Sequence, residues 1–187
     1  AKIKIEDIDL IAVTQGPGLA IALSVGINYA KNLASTYHKK IVAVNHVEGH
    51  LLANFLTNKN HKPLRPFLFP ALALTISGGH TKIVLINKIG DYEIVGETLD
   101  DAAGEAFDKV ARTLGLPYPG GPSVAAAAKT GDPKAYRLPV PHVEGKYNFS
   151  FSGLKTAVIN EVHNAEQKGQ GVNVADMAAS FQERIDQ

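Results

Sequence analysis

A chain of 187 residues, 45% of them apolar, is long enough for one large domain or for parts of two. Its 19 lysines and arginines nearly balance 18 aspartates and glutamates, so a formal charge of +1 gives no electrostatic case for strong nucleic-acid binding by this chain alone. The absence of cysteine excludes disulfides, cysteine nucleophiles and thiolate metal sites.

The first part of the chain alternates between predicted strands and helices. A buried strand over residues 8–13 leads into the turn "TQGPG", and small and apolar residues at helical spacing predict a helix over 21–37. The run "KIVAV" predicts a second buried strand, and "EGHLLANFL" predicts a short helix after it. This alternation predicts a parallel sheet with helices on its faces.

A polar and then proline-rich stretch, "TNKNHKPLRPFLFP", breaks the alternation and predicts a linker over residues 59–70. It separates residues 1–58 from residues 71–187. Three strands follow, "ALALTIS", "TKIVLIN" and "YEIVGET", and the short connections between them predict an antiparallel meander.

Helices dominate the rest of the chain. The stretch "DDAAGEAFDKVARTLG" predicts a helix that ends at Gly115. Its core face recurs at helical spacing: Ala103, Phe107, Val110 and Leu114. Ser123 is a candidate cap for the helix "VAAAAKTG", and residues 132–148 show no regular pattern. Two further helices are predicted over 152–167 and 174–185.

The two ends of the sequence and its hydropathy suggest a fragment of a cytoplasmic protein. The chain begins without methionine and enters a predicted strand almost at once, and residues 175–187 form an amphipathic pattern with no stop signal. No apolar run approaches the roughly 18 residues of a membrane span, and the charged start does not resemble a signal peptide.

The segment "NHVEGH" is a candidate metal site. His46 and His50 lie four residues apart, so on a helix their imidazoles share one face and can bind one ion. In zinc proteases the glutamate directly follows the first histidine, whereas Glu48 comes two residues later, so we reject a zinc protease. His46 also follows a predicted parallel strand, at the edge where open α/β sheets bind ligands. Two structural histidines remain an alternative, and a third ligand must come from elsewhere.

Three glycine- or serine-rich turns are candidate ligand contacts. Exposed amides of "SGGH" can cradle phosphate or carboxylate oxygens, although Gly-Gly is also favoured in a plain hairpin. The turn "PYPGGPS" either offers amides to a ligand or is a stiff connector. In "FSFSGLK", Lys155 is a candidate anion contact and the serines are candidate helix caps.

A row of carboxylates lies in the predicted helix that follows the three strands of the meander. Asp101, Glu105 and Asp108 share one face of a predicted helix, where they can bind a metal or a ribose. The alternative is a solvated face with the pairs Glu105–Lys109 and Asp108–Arg112.

Taken in order, these segments resemble one family closely. The segments "TQGPG", "NHVEGH", "LTISGGHTKIV", "DDAAGEAFDKVARTLGLPYPGGPS" and "FSFSGLKTA" are similar to those of the tRNA adenosine threonylcarbamoyltransferases, TsaD, once called O-sialoglycoprotein endopeptidase. The resemblance runs nearly from Ile8 to Ala179 and is to the bacterial type.

This resemblance implies an α/β fold of the actin-like, sugar-kinase-like (ASKHA) type, with two lobes around a cleft. Residues 1–58 would be part of the first lobe, and residues 71–187 part of the second lobe with helical insertions. The implied activity is transfer of threonylcarbamoyl from threonylcarbamoyl-adenylate to N6 of the adenosine beside the tRNA anticodon. The implied partners are tRNA, a TsaB-like paralogous subunit and a TsaE-like ATPase.

The resemblance also implies roles for nine residues. His46 and His50 would bind one divalent metal ion, iron or zinc. The turn formed by Thr75, Ile76, Ser77, Gly78 and Gly79 would hold the phosphates or the acyl-phosphate group. Asp108 would contact the ribose, and Gly121 would contact the adenosine portion.

The chain departs from the family at both ends. It lacks the family's first phosphate turn, the later adenosine loop and the aspartate that completes the metal site, so we expect weak metal binding and no activity from this chain alone. A non-catalytic, TsaB-like scaffold remains an alternative, but it would not need the two histidines or the "SGGH" turn. A sugar kinase or other ATPase of the same fold would need a catalytic aspartate in a sugar pocket, which nothing in the sequence marks. The helix over 21–37, rich in small residues, either contacts the paralogous subunit or packs on its own sheet.

Overall fold

The computed structural model describes residues 3–56, 68–141 and 143–186. The chain divides into two compact units, Ala1–Phe67 and Leu68–Gln187. Most of the predicted linker, 59–70, lies outside the described residues, so that assignment stays a prediction. In the described ranges no helix is long and apolar enough to cross a membrane.

The first unit is a strand–helix–strand–helix arrangement, as predicted. Its elements are β1 (Leu10–Gly16), α1 (Ala20–Thr36), β2 (Lys40–Asn45) and α2 (His46–Ala53). The two strands are parallel, with Leu10 opposite Lys40 and Thr14 opposite Val44. Since the strands run in the same direction, their carboxyl ends lie at one edge, and α2 begins directly at that edge.

Helix α1 has two different faces. Ala30 is buried and Leu23 and Ile27 are half-buried, so this side packs towards the sheet. Ile21, which is 83% exposed, lies on the opposite side of the helix. Other exposed residues recur there at helical spacing: Ala22, Val25, Gly26 and Tyr29. Of the small residues of the predicted helix, Ala22, Ser24 and Gly26 are exposed, and Ala30 is buried on the side that faces the sheet. The helix therefore packs on its own sheet through one side, and contact of the other side with a paralogous subunit stays a prediction.

The second unit begins with the predicted antiparallel meander. Strands β3 (Ala71–Ile76), β4 (Thr81–Lys88) and β5 (Asp91–Glu97) pair in chain order. Residues of β4 such as Val84 and Ile86 are buried, because β4 is the central strand.

Four helices follow and form most of the core. They are α3 (Ala103–Thr113), α4 (Gly120–Ala128), α5 (Ser152–Gln167) and α6 (Val174–Ile185). The fully buried residues among them come from all four helices: Ala106, Val110, Val124, Leu154, Val158, Met177 and Phe181. Phe107, predicted for the core, is half-buried and meets Phe181 edge to face with ring centroids 5.1 Å apart. Residues 132–148 contain no helix or strand among those described, as predicted.

Two predicted helix boundaries need correction. Gly115, with φ of 70°, ends α3 as predicted. However, α3 begins at Ala103 rather than at residue 100, because the side chains of Asp100 and Asp101 bind other segments. Ser123 does not cap the next helix: α4 begins at Gly120, and the Ser123 hydroxyl donates to the Gly120 carbonyl from within it.

Candidate functional site

The two histidines are held at the start of α2 by a side-chain cap. The Asn45 Oδ1 accepts hydrogen bonds from the amides of Val47 and Glu48 at 2.9 and 3.2 Å. This cap allows the helix to begin two residues earlier than predicted, immediately after β2. His46 is therefore the first residue of α2, at the carboxyl edge of the parallel strands.

The side chains of His46 and His50 converge. Their Nε2 atoms are 3.1 Å apart, and the ring centroids are 4.4 Å apart with an interplanar angle of 71°. Two imidazoles bound to one zinc ion at about 2.05 Å in tetrahedral geometry would have nitrogens about 3.3 Å apart. The observed spacing thus fits two ligands of one ion. It also fits a hydrogen bond between neutral rings of suitable tautomers.

A third ligand is not present in the part of the chain that the structure describes. No group of three or more histidine, aspartate or glutamate side chains in those residues is arranged to hold a metal. Glu48 lines a different feature, an open pocket of about 410 Å³ at the carboxyl ends of β1 and β2, together with Gln15, Gly16 and Asn45. That position agrees with the rejection of a zinc protease, in which the glutamate acts beside the metal.

In the second unit, the "SGGH" segment is the hairpin turn between β3 and β4. The amide of Ser77 donates to the His80 carbonyl at 2.8 Å, and the Ser77 hydroxyl accepts from the amides of Gly79 and His80. A Cβ atom built on Gly78 or on Gly79 would meet nothing within 4 Å. The turn is therefore internally braced, and space is open around both glycines. Thr75 and Ile76, the other predicted contacts, are the last residues of β3.

The amino terminus of α3 lies directly against this turn. The Gly104 amide donates to the Ser77 carbonyl at 3.2 Å, and the Ala103 amide donates to the Thr81 hydroxyl at 3.0 Å. A Cβ atom on Gly104 would lie only 2.7 Å from the Ser77 oxygen and 2.8 Å from the Gly78 Cα. Glycine is needed here because the two backbones nearly touch. The partial positive charge of a helix amino terminus is thereby placed beside the turn.

Asp108, further along α3, binds the start of α4. Its Oδ1 accepts a hydrogen bond from the Gly120 amide at 2.7 Å. A Cβ atom on Gly120 would overlap the Phe107 carbonyl oxygen, whereas Gly121 has open space around it. The structure therefore brings Asp108, the predicted ribose contact, next to Gly121, the predicted adenosine contact. Within the described residues this bond takes the place of the predicted Asp108–Arg112 pair.

The carboxylate row of the sequence does not form a metal site. Glu105 pairs with Lys109 at 2.8 Å, as the solvated-face alternative predicts. Asp101 instead lies before α3 and pairs with both Lys109 and Lys155, at 2.9 and 2.7 Å. Because each carboxylate has different partners and no three form a metal-binding group in the described ranges, the metal alternative for this row is wrong. Lys155, a candidate anion contact, is held by Asp101.

The pKa of the Asp101 carboxyl is lowered by its two lysines. Burial alone would raise the pKa, but the hydrogen bonds from Lys155 and Lys109 outweigh that effect. For Asp100, burial also raises the pKa, and bonds from Ser150, Phe151 and Ser152 more than offset it. Both carboxylates are therefore charged at neutral pH and serve as anchors between segments some 50 positions apart in the sequence.

Two contacts at these sites escape sequence reasoning. The cap by Asn45 has a visible signal, since asparagine is a preferred residue before a helix. The close approach at Gly104 has only a weak signal, a glycine near the start of a helix. A separate apolar pocket of about 460 Å³ is lined in part by Leu74, Phe107 and Phe151. Of the nine residues to which the resemblance assigns a role, Ile76 lines this pocket.

The sequence matches a known family over its whole length. The model of the family described as TsaD, tRNA N6-adenosine threonylcarbamoyltransferase, covers residues 1–187. Proteins named tRNA N6-adenosine threonylcarbamoyltransferase from Bacillus subtilis and Caldicellulosiruptor bescii are 53% and 51% identical over 96% and 99% of this chain. One from Dictyoglomus turgidum is 52% identical over 99% of it. The chain spans about half the length of these relatives, 50% to 53%. The chain therefore belongs to the TsaD family of tRNA N6-adenosine threonylcarbamoyltransferases.

Proposed function

We propose that the protein takes part in tRNA modification by transferring a threonylcarbamoyl group from threonylcarbamoyl-adenylate to N6 of the adenosine next to the anticodon. The observation that carries this proposal is the pair of histidine Nε2 atoms 3.1 Å apart at the carboxyl edge of β1 and β2. A TsaB-like scaffold would not need such a pair. The names of the relatives support the same activity.

The second unit supplies the groups that would bind the adenylate. The open turn formed by Thr75, Ile76, Ser77, Gly78 and Gly79 would receive the phosphate, with the amino terminus of α3 adding a favourable field for negative charge. Asp108 would accept hydrogen bonds from the ribose hydroxyls, and the open space at Gly121 would admit the adenosine portion.

His46 and His50 would bind one divalent ion, iron or zinc, through Nε2, with a third ligand from outside the described residues. Such an ion would supply Lewis acidity towards the carbamoyl carbonyl and the phosphate. Asn45, by fixing the first turn of α2, keeps the two imidazoles on one face.

The transfer needs no protein nucleophile. The N6 amine attacks the carbamoyl carbon, the bond from that carbon to the phosphate oxygen breaks, and AMP leaves with the electron pair while the N6 proton passes to solvent. Positioning of the amine and stabilisation of the developing oxyanion supply the catalysis. A chain without cysteine is suited to this chemistry.

We also propose that a TsaB-like subunit packs against the exposed side of α1. Ile21, Val25 and Tyr29 form an apolar row there, 83%, 66% and 67% exposed, and Gly26 leaves room for close approach. The net charge of +1 on this chain gives no electrostatic case for strong tRNA binding by the chain alone, which favours shared tRNA binding with this subunit and a TsaE-like ATPase. Gly26→Trp should abolish heterodimer formation while the thermal unfolding midpoint stays unchanged. Undiminished heterodimer formation would refute this interface.

The activity is tested with protein of full family length that carries this sequence, combined with its partners, tRNA and threonylcarbamoyl-adenylate. Nucleoside analysis of the tRNA should show N6-threonylcarbamoyladenosine with the unaltered protein and at least 100-fold less with His46→Ala. His163→Ala, a change at an exposed histidine on α5, is the control and should retain full activity. No product with the unaltered protein, or full activity with His46→Ala, would contradict the proposal.

A further inference from the structure

We propose that Asp101 is a positioning residue for nucleotide binding: through Lys109 and Lys155 it fixes α3 so that the Ser77–Gly79 turn and Asp108 stand at the separation a nucleotide requires. This inference rests on the proposed function, since it assumes that the turn and Asp108 bind the two halves of one adenylate.

Asp101 uses every hydrogen-bonding group that it has. Its Oδ1 accepts from the Lys109 ammonium at 2.9 Å, and its Oδ2 accepts from the Lys155 ammonium at 2.7 Å. Its amide donates to the Ser152 hydroxyl at 3.4 Å, and its carbonyl accepts from the Thr98 hydroxyl at 2.7 Å. One residue thus connects the end of β5, the body of α3 and the first turn of α5.

The cluster around Asp101 is electrically balanced, and Asp101 and Lys155 are its two more shielded members. The side chains of Asp101 and Lys155 are 13% and 17% exposed, and that of Lys109 is 37% exposed. Glu105 supplies the second negative charge, so two carboxylates face two ammonium groups. Removal of the Asp101 charge would leave Lys155 shielded and unpaired, which is strongly unfavourable.

The residues directly after Asp101 touch the proposed phosphate turn. The Ala103 amide donates to the hydroxyl of Thr81, two residues after the turn, and the Gly104 amide donates to the carbonyl of Ser77, its first residue. Since Asp101 precedes them by only two and three positions, it sets the direction in which α3 leaves the turn while these contacts stay in place.

The proposed ribose contact lies on the same helix. Asp108 follows Gly104 by four residues, and a rise of 1.5 Å per residue separates them by about 6 Å along the axis. That span is comparable with the separation between the phosphate and the ribose hydroxyls of a nucleotide. The proposed nucleotide site thus has two half-sites, the Ser77–Gly79 turn for the phosphate and Asp108 for the ribose. Helix α3 sets the distance between them, and Asp101 anchors α3 to α5.

Because Asp101 lies outside both half-sites, a role in positioning them can be told apart from a direct contact with the ligand. In a protein with Asp101→Asn each half-site keeps its own groups, and only their mutual placement is loosened. Such a change should therefore weaken a ligand that spans both half-sites far more than ligands that occupy one of them.

The experiment measures the dissociation constants of AMP, adenosine and inorganic phosphate by NMR titration of purified protein of full family length that carries this sequence. With Asp101→Asn we expect AMP affinity to fall at least tenfold, while the adenosine and phosphate affinities change less than twofold. Glu105→Gln is the matched control, because Glu105 shares Lys109 but is 44% exposed. It should change AMP affinity less than twofold, and Asp101→Glu should restore part of the loss.

If Asp101→Asn does not fold, the double variant Asp101→Asn/Lys155→Met, in which the cluster stays neutral, is used in its place in the same titrations. AMP affinity equal to that of the unaltered protein in the folded variant would overturn the inference, and so would an equal loss for all three ligands. If the unaltered protein binds no AMP, the proposed nucleotide site fails together with the inference. AMP binding that survives the loss of Asp101 refutes the inference alone.

Discussion

Replacing Gly104 with alanine tests the contact between α3 and the Ser77–Gly79 turn. The added Cβ atom would lie 2.7 Å from the Ser77 carbonyl oxygen, whereas ordinary contacts begin at about 3.4 Å, so the turn or the helix has to retreat by about 0.7 Å. Overpacking of this kind costs about 1–3 kcal/mol. Alanine recovers about 1 kcal/mol through its higher helix propensity. The expected net effect on the free energy of unfolding lies between no change and a loss of about 2 kcal/mol.

The larger effect should be on ligand binding, because the retreat displaces the proposed phosphate contacts. Inorganic phosphate and AMP should each bind at least tenfold more weakly to Gly104→Ala, measured by NMR titration alongside urea unfolding. Gly153→Ala is the control, since Gly153 is likewise the second residue of its helix but a Cβ atom there meets nothing within 4 Å. It should gain up to about 1 kcal/mol and leave binding unchanged. A Gly104→Ala protein that is more stable and binds both ligands normally would refute the reasoning.

Two further predictions concern the metal site and acid stability. Asn45→Ala should cost about 0.5–2 kcal/mol through loss of its cap and should weaken metal binding by His46 and His50. Asn173→Ala removes an equivalent cap from α6 and should lower stability without altering metal affinity, and equal effects of both variants on the metal would contradict this. Because the pKa values of Asp100 and Asp101 are lower in the folded protein than in the unfolded chain, their contribution to stability is complete above about pH 5 and is lost as pH falls through the folded values. Urea unfolding between pH 7 and pH 3 should show this loss, smaller in Asp101→Asn, and an identical pH dependence in both proteins would refute it.

Local sequence patterns account for most of the elements. The bounds of α5 and α6 agree with prediction to the residue, because apolar residues recur at helical spacing throughout both segments. The parallel pair in the first unit and the meander in the second follow from the lengths of the connections. Membership of the TsaD family confirms the predicted class, an α/β fold of the actin-like, sugar-kinase-like type that is incomplete in this chain.

The errors arise where contacts between distant residues determine a local boundary. Ser123 has the right chemistry for a cap, but α4 begins at Gly120, four residues before the predicted start, where the Gly120 amide donates to the Asp108 carboxylate. Likewise, Asp101 has the right charge for the start of a helix, and Lys155, more than 50 positions away, holds it outside the helix. Such bonds leave no periodic signal in the sequence.

The candidate site likewise has one part that local sequence predicts and another that depends on contacts between distant residues. His46 and His50 are four residues apart on one helix, so their convergence follows from local geometry. The placement of the "SGGH" turn against Gly104 depends on tertiary packing, and only the structure reveals it. Sequence reasoning therefore predicts which residues belong to the proposed site, and the structure shows the contacts that hold them.

Metal titration tests the account most directly, because the proposed activity depends on the convergence of His46 and His50. Iron or zinc is titrated into metal-free protein of full family length that carries this sequence, because the third ligand is expected from outside the described residues. Bound metal is measured by elemental analysis and calorimetry. The account predicts one ion per chain for the unaltered protein, and an affinity at least 100-fold lower for His46→Ala and for His50→Ala, with His163→Ala unaffected. Equal stoichiometry and affinity in all four proteins would show that the two imidazoles are structural and would contradict the proposed metal centre.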